Sequence, residues 1–427
     1  MLSRRSLMLS LPTLPLFTRM VRAEALLPSG GDDTGALQAA IVAASKGRGG
    51  VVYLGGGNFN VSTLTIKNNV TIVGAPGATR LVAATGGKVF SLKDAGHVVL
   101  QGLGLVVKGA AGNVLTAEGI ERLIVEDCDF SGGEAGMRVS YCGGRIVGNR
   151  FQFHSDVGLQ SIDSKGIHIS GNRASDVGNC GIQVWQSEKR EDGSIITENH
   201  ISRIDVKGGG NGQNGNGINV FKAGNVTISN NRITDCAFTG IRNNSGANSI
   251  ITGNSISRCN EVALFVEFNH DGSVVADNII DTASQGIEIV NYDVGGRLSQ
   301  CTGNVCRNLT GVDPEGLPLG GGILCDADVI VANNLVDVAK NYGIRLGWGP
   351  YGRNLQASNN TIMGCSRGIE FSLAAPGPYI MTNNIISGAA LGAIVGMDHR
   401  EPITSDLTAA GAKLPPHVNI SGNMVRS

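Results

Sequence analysis

Acids, arginines and aromatic residues of this chain recur at equivalent places within, or one residue after, a repeated tetrapeptide of the form Gly-Ile-x-Val. It recurs as Gly136-Met137-Arg138-Val139, Gly158-Leu159-Gln160-Ser161, Gly181-Ile182-Gln183-Val184, Gly217-Ile218-Asn219-Val220 and Gly240-Ile241-Arg242-Asn243. It continues as Ala263-Leu264-Phe265-Val266, Gly286-Ile287-Glu288-Ile289, Gly322-Ile323-Leu324-Cys325, Gly343-Ile344-Arg345-Leu346, Gly368-Ile369-Glu370-Phe371 and Gly392-Ala393-Ile394-Val395. In a strand, alternation sends Ile and Val to one side and x to the other. Stacking the repeats makes x an outward column, with a second column two residues further on. Arg242, Phe265, Glu288 and Arg345 stand in the first column. Trp185, Phe221, Glu267 and Asp326 stand in the second.

These types suit chemistry on an acidic sugar polymer. Aromatic faces stack on sugar rings, and guanidinium groups match carboxylates. Glu267, Glu288 and Asp326 fall on consecutive repeats, so diagonal neighbours lie roughly 8 Å apart. Paired carboxylates in glycoside hydrolysis stand roughly 5–9.5 Å apart, one as proton donor and one as base or nucleophile. In a lyase, Arg242 or Lys222 would take the proton alpha to a uronate carboxylate, its charge held by Arg345 or by a bound calcium. The expected catalytic set is Glu267, Glu288, Asp326 and Arg242. The expected substrate-binding set is Trp185, Phe221, Phe265, Arg345, Tyr292 and Lys222. Arg345 and Glu370 lie one repeat apart in one column, so a plain ion pair is the structural alternative. His154, His200 and His270 are isolated; His270-Asp271 lies nearest the expected groove. No cluster of metal-ligating residues is visible in the sequence.

The repeat also dictates what must position these groups. Its period is about 23 residues, broken by two steps of about 36. The extra residues, 205–216 and 311–321, precede a Gly-Ile strand. Longer turns at 186–193, 291–297 and 347–353 follow one and carry Lys189, Arg190, Tyr292, Asp293, Trp348 and Tyr351. Loops on both flanks of one strand column wall a groove. A second signature interleaves with the first, an asparagine after a short β-rich stretch: Asn149, Asn172, Asn199, Asn231, Asn254, Asn278, Asn304, Asn334, Asn360, Asn384 and Asn423. Stacked at one turn, these amides form a hydrogen-bonded ladder. Each repeat is thus three short strands joined by turns, and stacking buries what a single repeat cannot. Cys236, Cys259 and Cys365 share a small-residue inward column with Ala283, Ala339 and Ala389, and read as reduced and structural. A bridge between Cys236 and Cys259 is the alternative.

At the N-terminus, Asp33-Thr34 is placed to cap a helix from Gly35 to Ser45, with Leu37, Ile41 and Ala44 on one face. Strands are expected at Val51 to Leu54 and Val61 to Ile66. The helix would cover the exposed edge of the first repeat. Residues 398–416 lose the period and read as a loop over the last repeats. With 63 glycines, 4% aromatic and 16% charged residues, the composition fits many short strands and tight turns. A net charge of −1 without a basic stripe argues against nucleic acid as partner. Arg4-Arg5, the apolar stretch Leu7 to Phe17 and Ala23-Glu24-Ala25 read as an export signal over residues 1–25, too short to span a bilayer. The paired arginines resemble the twin-arginine type, which implies export of a folded protein to the periplasm or beyond. No membrane span is expected in the mature chain, residues 26–427, of which 26–50 form the cap.

Asp32-Asp33-Thr34-Gly35-Ala36-Leu37-Gln38-Ala39-Ala40-Ile41, then Gly49-Gly50-Val51-Val52-Tyr53-Leu54 and Asn69-Val70-Thr71-Ile72-Val73-Gly74, resemble the opening of pectate-lyase-like and polygalacturonase-like proteins. The whole pattern, signal included, resembles a family of twin-arginine-translocated β-helix repeat proteins of unassigned activity. The resemblance implies an all-β, single-stranded right-handed parallel β-helix, and it implies little about chemistry. The polygalacturonase motifs Asn-Thr-Asp, Gly-His-Gly and Arg-Ile-Lys and a mid-helix Asp-Asp are absent, as is the Asp-Pro-His-Asp of mannuronan epimerases. Two readings stand: a lyase or hydrolase of an acidic polysaccharide, and a non-catalytic glycan-binding or envelope-structural repeat protein.

Overall fold

The computed structural model describes residues 24–426, apart from 211, 291–294, 310, 313–315 and 317–318. The expected export segment therefore lies outside the described residues but for its last two. The chain winds as a right-handed parallel β-helix with three strands per coil. One sheet of 15 strands runs from Gly50–Tyr53 to Val418–Ser421. A second of 28 strands holds the other two ladders, fused because Ser255–Glu267 and Ile279–Val290 each run through both. Every pairing between coils is parallel, and each strand meets the equivalent strand one coil away. The interior is a continuous column of Ile, Val and Leu, because one residue in two points inward from every strand.

The repeat tetrapeptides form one ladder, in which Met137, Leu159, Ile182, Ile218, Ile241, Leu264, Ile287, Ile323, Ile344 and Ile369 stack in register. The last coil departs by one residue from the sequence reading: Ile394, not Ala393, pairs with Ile369. The isoleucine fills the core where the smaller alanine would leave a void.

Turn chemistry holds the coils in phase. Each ladder asparagine donates Nδ2 to the Oδ1 of the next, at 2.9–3.0 Å, from Asn149 through Asn423. The same Oδ1 accepts the backbone N–H of the preceding asparagine, as Asn278 does from Asn254 at 3.0 Å. The ladder starts at Cys128, whose N–H donates to Asn149 Oδ1. All nine cysteines are free and buried. Cys236 and Cys259 are neighbours in register without a bond, followed by Ala283, Leu309 and Ala339 in the same column.

The N-terminal helix spans Thr34–Ala44 and seals the first coil with Leu37 and Ile41. Its Asp33 makes no side-chain cap bond. Its carboxylate is taken instead by the N–H groups of Ser29 and Asn60, while Asp32 accepts from Thr34 N–H at 2.9 Å. The strand expected at Val61 to Ile66 begins only at Leu64, and Gly57–Asn60 precedes it. At the far end, residues 398–416 open with a hairpin: Ile394–Asp398 pairs antiparallel with Glu401–Pro402. No helix among the described residues is long and apolar enough to cross a membrane.

Candidate functional site

The outward column of the tetrapeptide ladder is covered, not the exposed groove floor that alternation implied. Gln160, Gln183, Asn219, Arg242, Phe265, Glu288, Leu324, Arg345 and Glu370 are all buried. Two effects close the column. Loops from the long steps lie over it: Gly212, at φ +110°, rests on the Arg242 guanidinium so closely that a Cβ would come within 2.6 Å of its Cζ. Charges also pair between coils. Arg242 grips Glu267 with two hydrogen bonds, 2.7 Å from Nε and 2.8 Å from Nη2, and Asn244 adds a third at 2.8 Å. Arg345 Nε donates to Glu370 at 2.6 Å, and Arg367 reaches the other oxygen at 3.1 Å. The simple ion pair weighed for Arg345 and Glu370 is therefore present.

Two hollows remain open on this face among the described residues. The first, about 290 Å³, lies between Trp185, Phe221, Phe268, Asn219 and Asn244, with the Arg242–Glu267 pair behind it. Trp185 and Phe221 meet edge to face, centroids 6.1 Å apart, and Trp185 Nε1 donates to Asn219 at 3.3 Å. The second, about 440 Å³, holds Glu261, Glu288 and Asp326 with Tyr342, Trp348, Arg345, Arg367 and Arg400. The expected acid trio is thus divided: Glu288 and Asp326 share the second hollow, while Glu267 lines the first and is neutralised there by Arg242. That pairing takes both Arg242 and Glu267 out of a free acid–base role. Another concavity, about 800 Å³, lies on another face, is edged by the bidentate pairs Arg203–Asp176 and Arg258–Asp235, and includes none of the tetrapeptide residues.

The second hollow is electrostatically divided. Burial, then the negative charges of Glu261, Asp326 and Glu267, push the Glu288 carboxyl up to about 8, with Arg345 acting against the rise. Glu288 is therefore a protonated acid at neutral pH. Glu261 accepts from the Thr239 hydroxyl at 2.5 Å and from Arg242 Nη1 at 3.4 Å. The opposite wall is cationic. Arg345 stacks on Tyr342 at 4.1 Å and faces Trp348 at 5.3 Å, and Arg400 approaches the same indole at 6.0 Å. Arg345 and Arg367 there share one buried carboxylate, Glu370. Tyr342 accepts from Gln285 Nε2 at 2.8 Å, and burial pushes its phenol far above the usual range.

Other expected residues lie elsewhere. Phe265 packs under Arg242, 4.9 Å from ring to guanidinium, and borders the second hollow. Lys222 donates to the Ser187 carbonyl at 3.1 Å and sits 5.1 Å over Phe221, outside either lining. Tyr292 and Asp293 lie outside the described residues. In the turn at 186–193, Lys189 bonds the Asn269 carbonyl and Arg190 pairs with Asp163, so this turn walls neither hollow. His270 is buried, 3.3 Å from Ser299 Oγ, and burial lowers it to about 4, leaving it neutral.

The sequence reading did not single out Glu261, Gln285, Tyr342, Arg367 and Arg400. Gln285, Tyr342 and Arg367 immediately precede the glycine of their tetrapeptides, three residues before x, where strict alternation points to the other side of the sheet, so alternation gave no signal for them. Glu261 is shifted by a bulge between Cys259 and Val262, and Arg400 arrives from the terminal hairpin.

The comparisons with known proteins concern mainly the fold. The profile described as "Right handed beta helix region" matches residues 189–349, and that of "Periplasmic copper-binding protein (NosD)" matches residues 41–211. No curated protein matches in sequence. Among solved structures, an alginate lyase in complex with a trisaccharide aligns at TM-score 0.54 and 14% identity, over 94% of this chain and 96% of that one. The catalytic unit of an alpha-1,3-glucanase of Streptomyces thermodiastaticus aligns at 0.46 and 15%, over 94% and 69%. A surface adhesin of Streptococcus pneumoniae aligns at 0.43 and 14%, over 93% and 100%. Among the described residues, no three His, Cys, Asp or Glu side chains are grouped to hold a metal ion. Copper sites favour thiolate and imidazole ligands. Here burial pushes the thiols of Cys128, Cys180 and Cys306 upward and keeps them protonated, which does not fit such a role.

Proposed function

We propose that this chain is an exported enzyme that cleaves an acidic polysaccharide by hydrolysis in the second hollow. The observation that carries the reading is the placing of two carboxyls in one hollow opposite arginines: Glu288, raised to about 8 by burial, and Glu261, held by Thr239 and Arg242. Glu288 would protonate the leaving glycosidic oxygen. Glu261, steadied by Thr239 and Arg242, would activate water or attack the anomeric carbon. Arg345, Arg367 and Arg400 would hold the ligand's carboxylate while Trp348 meets a ring face. The hollow falls in the usual range for small-ligand sites, roughly 300–1,000 Å³. The β-helix likeness to an alginate lyase supports a saccharide as ligand. The paired arginines of residues 1–25, and the periplasmic protein whose profile matches residues 41–211, support a place in the periplasm or outside the cell. A calcium ion on this acid cluster would require Glu288 to ionise, which its burial opposes.

The test is incubation of the mature protein with uronate-bearing and neutral polysaccharides. New reducing ends without unsaturated-uronate absorbance are expected from wild type, and none from Glu288→Gln or Glu261→Gln. Unsaturated products would replace hydrolysis by elimination. Undiminished product from Glu288→Gln would remove that residue from the mechanism. The absent polygalacturonase and epimerase motifs favour a second reading, binding without turnover, and saturable binding with no product from wild type would establish it.

A further inference from the structure

The two hollows differ in lining, one crowded with ionisable groups and the other mainly aromatic and amide, and the difference assigns them different sugars. In the second, the guanidinium groups of Arg345, Arg367 and Arg400 share the lining with the carboxyls of Glu261, Glu288 and Asp326. In the first, the only charged side chains in the lining among the described residues, Arg242 and Glu267, cancel each other through two short hydrogen bonds and are themselves buried. A ligand there meets a balanced pair whose strongest hydrogen-bonding capacity is already used. The remaining lining is aromatic surface and neutral amide: Trp185 and Phe221 at an interplanar angle of 68°, with Phe268, Asn219 and Asn244. An anion entering this hollow would lose its hydration and gain no unpaired cation from the lining, which is unfavourable. A neutral sugar would place its C–H face on an indole or phenyl ring and its hydroxyls on the amides, at little desolvation cost.

The hollows belong to one column. Trp185, Phe221, Asn244, Glu267 and Val290 follow one another coil by coil, and Glu288 sits two residues before Val290 on its strand. Their centres are about three coils apart, roughly 14 Å at ~4.8 Å per coil. One extended glycan can therefore lie across both.

We propose that the first hollow is a subsite for an uncharged sugar, and that the ligand is a heteropolysaccharide carrying a neutral unit a few residues from a uronate. This rests on the saccharide reading above and names its substrate class. The chain has two tryptophans, and each hollow contains one. Two reporters can therefore be made in the catalytically silenced Glu288→Gln background. Adding Trp348→Phe leaves Trp185 as the sole emitter, and adding Trp185→Phe leaves Trp348. Each would be titrated with cellotetraose, mannotetraose and galactotetraose, and with tetragalacturonate and tetramannuronate, after circular dichroism and melting confirm folding.

At least one neutral tetraose is expected to shift Trp185 emission, with the uronates binding there about tenfold more weakly or not at all, and Phe221→Ala is expected to weaken the neutral ligand by about tenfold. The uronates are expected to act on Trp348. Uronates that bind at Trp185 as tightly as the neutral sugars, or no response of Trp185 to any of the five probes, would overturn the assignment. Failure of the catalytic reading shows separately, as absence of product from wild type, and leaves these titrations readable.

Discussion

Glu288→Gln is expected to make the protein more stable in alkaline solution while abolishing its activity. An acid whose carboxyl is raised in the folded state keeps its proton where the unfolded chain has lost it. Folded protein thus binds more protons than unfolded between the ordinary 4.5 and about 8, and stability falls with rising pH across that window. Below 4.5 both states are protonated and the group is silent; above about 8 the full penalty is present. At about 1.36 kcal/mol per unit, the shift from 4.5 to about 8 is worth about 5 kcal/mol as an upper bound, since neighbours relax as the charge appears. Glutamine is close in shape to the protonated acid and cannot ionise, so it escapes the penalty. The assay is guanidinium unfolding of both proteins from mildly acidic to mildly alkaline pH. Their difference should be near zero at the acidic end and grow to several kcal/mol in favour of the variant. A difference that stays flat across the window would refute the assignment of Glu288 as a buried neutral acid, and with it the proton donor of the proposed reaction. The same titration predicts that wild-type activity falls as pH rises through about 8.

Asn254→Ala should cost roughly 3–5 kcal/mol by chemical unfolding, because it strands the Asn231 N–H and the Ile228 carbonyl in a buried turn. Asn423→Ala, at the half-exposed end of the same ladder, should cost only about 1 kcal/mol, and equal losses would contradict a burial-based account. Glu267→Ala leaves Arg242 buried with only the longer contact to Glu261, and should cost roughly 3–5 kcal/mol; a loss within error would mean the pair is hydrated. All nine thiols should be unreactive to a thiol reagent in the native protein at mildly alkaline pH and should titrate together on unfolding, so any rapidly modified native cysteine would contradict their burial.

Much of the fold was readable because its determinants repeat. One residue in two along the Gly-Ile strands faces the core, and eleven asparagines hold one register, so each coil restates the same instruction. The site was readable only in part, because it is built where coils differ. Glu288, Asp326 and Arg345 could be placed on one face by alternation alone. That Glu267 turns toward Arg242 while Glu288 does not depends on which guanidinium lies within reach and on the Gly212 loop above it, neither of which has a period. Alternation marks the side of a sheet but not its cover, so the column read as exposed is buried. Glu261 escaped because a bulge displaces it, and Arg400 because a hairpin of a few residues carries it back over the stack.

Because each coil leans only on its neighbours, the end of the stack is also where the molecule should fray first. The terminal hairpin and the coil of Ile394 lie there, and the coils of Arg367 and Arg345 come next inward. Loosening from that end would remove Arg400, then Arg367 with Glu370, then Arg345, before it reached Glu288, and Trp185 last of all. The order in which coils come away thus fixes an order of failure: the grip on charge is lost before the acid, and the aromatic hollow outlasts both.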